Sequence, residues 1–180
     1  MGWLLYLILG HGSAPSGGAL PEHSQNVSHV QEAVVIGKPK QTAEWLVTPT
    51  IRICASSEVS VYRTSRASRY WEARGYSFDG IFVDSSAQCM IPRYGEIMVA
   101  IPSGGFSDHH MASTRLYTSK KTGEILKAKI HILPSNSRKD RVLEHELGHA
   151  LGWSHYPQRY HIMHPTWKDG GYDSYGVHKK

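Results

Sequence analysis

From about residue 44 onward, the hydrophobic pattern alternates between the two-residue period of a strand and the wider period of a helix. Thr50-Ile51-Arg52-Ile53-Cys54 alternates and is β-rich, which predicts a first strand. A helix follows from Ser57, a good N-cap, to Arg74, with Gly75 as its stop. Residues 78–84 and 95–102 predict two more strands, the second alternating through Ile97, Val99 and Ile101. Strands linked through a helix favour parallel pairing. Residues 113–118 and 125–133 flank the turn-forming segment Ser119-Lys120-Lys121-Thr122-Gly123, so one of these strands is expected to run antiparallel, with 113–118 at the sheet edge. In the later strand Leu126, Ala128, Ile130 and Ile132 point one way, and Lys127, Lys129 and His131 the other.

A second helix is predicted from Ser137, its cap, with Asp140 three residues on and an apolar stripe of Leu143, Leu147, Ala150 and Leu151. Gly152 ends it, and the residues beyond Trp153 show little period but many aromatic and turn residues. The expected fold class is α+β: a mixed, mostly parallel five-stranded sheet, two main helices and a small irregular C-terminal lobe.

Residues 11–43 are rich in Gly, Ser, Pro and polar residues and follow neither period, so residues 1–43 read as a leader or flexible arm ahead of a folded domain at 44–180. The apolar run Trp3 to Leu9 is too short to span a bilayer and long enough for a signal-peptide core. The expectation is a secreted or extracytoplasmic protein without a stable membrane span, and a cytoplasmic one if that run is not a signal. Asn26-Val27-Ser28 is a glycosylation sequon only in a eukaryotic secretory pathway.

Composition narrows the choice modestly. Apolar residues at 40% and charged residues at 19% exclude a disordered or fibrous chain. The net charge of +5 would suit an acidic partner, but the basic residues are scattered. The densest group, Arg63, Arg66, Arg69 and Arg74, reads as a solvated helix face, so no nucleic-acid partner is expected. Cys54 and Cys89 are too few for a disulfide scaffold or a thiolate zinc site. In an exported protein they are expected to pair with each other, since Cys54 ends the first strand and Cys89 follows the second.

The chemistry concentrates on the second predicted helix. His145 and His149 stand four residues apart, hence one above the other on one helix face. Two imidazoles so placed can share a metal, and a catalytic zinc takes three protein ligands and leaves its fourth position open. His155 is the natural third ligand, because Gly152 can take the left-handed conformation that turns the chain back. Glu146 is not needed as a ligand and is placed to act as a base. In a chain with 12 His, the four-residue pattern alone is modest; Gly152 and His155 at fixed offsets on a predicted helix make it specific.

The segment His145-Glu146-Leu147-Gly148-His149-Ala150-Leu151-Gly152-Trp153-Ser154-His155 resembles the zinc signature of the metzincin metallopeptidases, H-E-x-x-H-x-x-G-x-x-H. Ile162-Met163-His164-Pro165 resembles the Met-turn of that family at the spacing of its matrixin branch, with Trp167 where matrixins carry Tyr. The resemblance covers residues 145–167. It implies a metzincin-like fold with an upper lobe at 44–155 and a lower lobe at 156–180, one catalytic Zn2+, and a monomeric endopeptidase acting on protein or peptide substrates. Hydrolysis would proceed by attack of a zinc-bound water activated by Glu146. Met163 would lie beneath the zinc histidines, and Pro165 with Trp167 would wall the pocket for the residue after the scissile bond. No cysteine precedes Cys54, so the cysteine latch of matrixin pro-segments has no counterpart in this sequence.

The competing function is a non-catalytic zinc-holding binding module, against which the presence of Glu146 argues. Asp108, His109 and His110 do not match the spacing of a second metal site and read as a solvated loop. His161 and His164 read as polar rim residues flanking the Met-turn, and Tyr156 is divided between packing and an approach to the cleft.

Overall fold

The computed structural model describes residues 37–87, 89–102 and 111–179. The chain divides into two compact units, Met1–Val34 and Val35–Lys180, and every described residue belongs to the second. Sequon and signal-like run, Asp108, His109 and His110 thus lie outside the described residues.

Five strands form one sheet: β1 (Thr50–Cys54), β2 (Ile81–Asp84), β3 (Glu96–Ala100), β4 (Ala112–Thr118) and β5 (Ile125–Ile132). Their spatial order is β2-β1-β3-β5-β4. The pairs β1–β2, β1–β3 and β3–β5 are parallel, whereas β4–β5 is antiparallel and forms the longest ladder. The sheet is therefore mixed rather than mostly parallel. Three helices accompany it: α1 (Val61–Glu72), the single turn α2 (Pro134–Ser137) and α3 (Val142–Ala150). None is long and apolar enough to cross a membrane.

Side-chain alternation sorts the sheet into two faces. Ile51, Ile53, Ile97, Val99, Ala128 and Ile130 share one core cluster with Trp71 of α1 and Leu143 and Leu147 of α3. Complete burial of each of the isoleucine, valine and leucine side chains among them contributes about 1.5–3 kcal/mol. On the other face Met98 and Ala100 pack with Cys54 and Cys89, which form a disulfide with Cα atoms 5.5 Å apart. Arg52 is fully buried there and donates to both carboxylate oxygens of Glu96 (2.9 and 2.5 Å), to Asp84 Oδ2 (2.9 Å) and to Ile91 O (2.8 Å). Lys129, expected on a half-exposed face, is buried and donates to Met90 O at 2.9 Å.

Three expectations need correction. The helix α1 starts later than Ser57: Ser60 is its cap, accepting from Arg63 N at 3.1 Å, while Ser57 closes a short 3-10 turn. Its arginines are not uniformly solvated, because Arg63 sits in line with Ala67 and Trp71 and is buried in a two-pronged pair with Glu144 of α3. The single helix expected from Ser137 is two helices, so the described residues hold three. Pro134 starts α2, the Ser137 hydroxyl bonds back to Pro134 O (2.8 Å), and Arg141 stands between α2 and α3 with φ 72°. A non-glycine residue in that conformation needs outside support. Arg141 has it: its guanidinium donates to Gly170 O and lies 5.1 Å from the Trp167 ring centre.

Candidate metal centre

The helix α3 places His145 and His149 one turn apart, with the chain reversing after it to bring in His155. Their ligand atoms all lie within 4.8 Å of one another, a possible metal-binding group. His145 Nδ1–H donates to Ile162 O and His149 Nδ1–H to Trp153 O, both at 2.7 Å. A carbonyl can only accept, so each Nδ1 holds the proton of a neutral ring and each Nε2 presents a lone pair. These two Nε2 atoms are 3.0 Å apart. Two lone pairs facing each other at that distance repel unless a cation lies between them, so the donor set fits a metal ion. Among the described residues no fourth ligand joins the three imidazole nitrogens, the donor set of an open metal site.

Burial drives the His145 imidazole pKa down to about 3 and that of His149 to about 4, and it also lowers that of His155. Neutral rings are the form that binds metal. Burial acts oppositely on the carboxyl of Glu146, pushing it up to about 7, while the Thr114 hydroxyl pulls it back. Thr114 Oγ1 donates to Glu146 Oε2 at 2.5 Å and lies 3.1 Å from Glu146 O. Oε1 makes no hydrogen bond among the described residues.

The turn carrying His155 is held from the other end of the domain. Carbonyls at a helix C-terminus lack helical partners. Here Ala150 O accepts from Trp45 Nε1 (2.8 Å), Leu151 O from Gln41 Nε2 (2.9 Å) and Gly152 O from Thr42 N (2.8 Å). Residues 41 and 42, assigned to the arm by their composition, thus bond directly to the end of α3. Gly152 has φ +92°, and a Cβ there would sit 2.0 Å from Ala43 O. Gly152→Ala is expected to cost more than the roughly 1–2 kcal/mol of the left-handed conformation alone, because the clash is with backbone. Urea unfolding of the two proteins checks this; an unchanged midpoint would contradict the account of the turn.

Met163 is buried under α3, close enough that a Cβ on Gly148 would meet its Sδ at 2.4 Å. Tyr156 N donates to Met163 O (2.8 Å), tying the segment after His155 to the segment at Met163. Tyr156 is itself buried and packs its ring 4.8 Å from that of His161, which settles it as a packing residue. His161 is not a rim residue: it is fully buried, its Nδ1 accepts from Met163 N (3.1 Å) and its Nε2 donates to Tyr175 O (3.1 Å). His164 stays partly exposed, and Pro165 is exposed. Trp167 is 44% exposed, and its indole donates to Asp140 O (3.0 Å), which places it beside the start of α3.

Thr114 is the functional candidate that the sequence pattern left unmarked. The available signal was a polar residue between Ala112 and Leu116 in the inward row of β4. No family model matches the chain, and no curated protein is significantly similar to it.

Proposed function

We propose that this protein is a zinc-dependent endopeptidase of the metzincin type, nearest in its motif to the matrixin branch. The observation that carries the reading is the convergence of three imidazoles, two of them with their lone pairs fixed by backbone carbonyls, beside a buried carboxylate that is not a ligand. His145, His149 and His155 would hold Zn2+, which would supply a Lewis acid and make a water acidic enough to lose a proton near neutral pH.

Glu146 does the proton transfer. Its Oε2 is engaged by Thr114, so Oε1 takes the proton from the attacking water and later delivers it to the leaving nitrogen. The water oxygen bonds to the carbonyl carbon, the C–N bond breaks, and an amine and a carboxylate result. Strand β4 forms the sheet edge next to this carboxylate, with no strand among the described residues pairing its outer side. An extended peptide can add to such an edge. The buried Cys54–Cys89 disulfide supports a secreted or extracytoplasmic location, where such bonds persist.

The test is incubation of the purified, zinc-loaded protein with a mixed peptide library, read by mass spectrometry. Internal cleavage is expected, abolished by a chelator and restored by added zinc. Stoichiometric zinc that survives the chelator, with no cleavage of any peptide, would favour a zinc-holding module instead.

A further inference from the structure

Strand β4 runs along the sheet edge with Ala112, Thr114 and Leu116 in one row, and Ala112 and Leu116 pack against the core. A third apolar side chain would satisfy that row. Thr114 instead puts a hydroxyl 2.5 Å from Glu146 Oε2 and 3.1 Å from Glu146 O. A hydroxyl has one proton, and the carboxylate oxygen, nearer and charged, is the stronger acceptor. Thr is also stiff about χ1 on a strand, so the donor is fixed to the sheet rather than carried on a mobile arm.

Glu146 needs such a partner. Its carboxylate is a buried group on three rotatable bonds, and hydrogen bonding at Oε1 is absent among the described residues. Helix geometry alone sets the direction of its Cα–Cβ bond but leaves the carboxylate free to turn. We propose that Thr114 is the positioning residue of this centre: by holding Oε2 against β4 it fixes the carboxylate, leaving Oε1 for proton transfer. The proposal rests on the peptidase reading for its kinetic consequence but not for its structural one. It also links the strand on which a substrate would lie to the base that would act on it, through one side chain.

The experiment compares the wild-type protein with Thr114→Val, which keeps the shape and removes the hydroxyl, and Thr114→Ser, which keeps the hydroxyl. Thr114→Val should lower kcat about 10- to 100-fold, the usual cost of loosening a group that orients a reacting one, with KM and bound zinc unchanged. Thr114→Ser should recover most of that loss. Wild-type kcat in the Val variant, or a Ser variant as slow as Val, would overturn the proposal. Crystal structures of the metal-free wild type and Val variant give a readout independent of turnover. Glu146 should occupy one rotamer in the first and several in the second. A single unchanged rotamer in the Val variant would also overturn the proposal. A wild-type protein that hydrolyses no peptide counts against the peptidase reading, and the crystallographic comparison then decides on Thr114 by itself.

Discussion

Glu146→Gln is expected to lower peptide turnover by at least about 100-fold and up to about 10,000-fold, roughly 3 to 5 kcal/mol of barrier, while zinc stays bound. Gln preserves the volume of the side chain and can still accept from Thr114, but it cannot take a proton. The fold should tolerate the change well. Burial already drives the Glu146 carboxyl pKa up to about 7, so a neutral amide removes a charge that the site resists. His149→Ala is the contrasting variant: it deletes a ligand whose ring is held by Trp153 O, and it should lose the metal along with activity. Bound zinc and turnover must be measured on the same samples. A Gln variant with full zinc and near-wild-type turnover would show that Glu146 is not the base.

Arg52→Met is expected to be the most destabilising single change on the far face of the sheet, by about 3–5 kcal/mol, a fall in Tm of roughly 6 to 20 °C. Met fills similar space but leaves the Glu96 carboxylate, 4% exposed, without the guanidinium that now grips both of its oxygens. The loss should come from that stranded charge rather than from the pair as such. Replacing both partners, as in Arg52→Met with Glu96→Leu, should therefore recover much of it. A double mutant less stable than the sum of its single mutants would refute this explanation. Because the cluster lies across the sheet from α3, zinc binding by the folded fraction should be unaffected.

The three central strands were legible to within a few residues because each carries its own alternation: Ile51 and Ile53, Ile97 and Val99, Ala128 and Ile130 all reach the helix-side core as their spacing implies. The histidine centre was legible for a similar reason. Helical spacing and one glycine are local features, and they were enough to mark His145, His149 and His155 as the residues that come together. What was hidden depends on contacts between distant segments. The break at Arg141 is supported from Gly170 and Trp167, and Arg63 became an interior residue only when Glu144 came to face it from α3. His161 was misjudged because its partner, Tyr175 O, lies in a stretch without periodicity. Gln41 and Thr42 were assigned to an arm because their composition says nothing about the carbonyls at the end of α3 that they satisfy.

The bonds from Gln41 and Thr42 to the end of α3 also set the order in which the protein can be built. The two sides of these bonds are separated by 110 positions. His145 waits in addition for Ile162, 17 positions downstream. During synthesis the early donors leave the ribosome long before the turn at Gly152 exists, and the turn in turn precedes the carbonyl that fixes His145. Closing so long a loop costs little more than closing one of half its length, roughly 0.6 kcal/mol, yet contacts so distant along the chain form slowly. Full convergence of the three imidazoles therefore awaits these distant contacts, and ahead of them a single helical turn can pair just two of the three, His145 and His149.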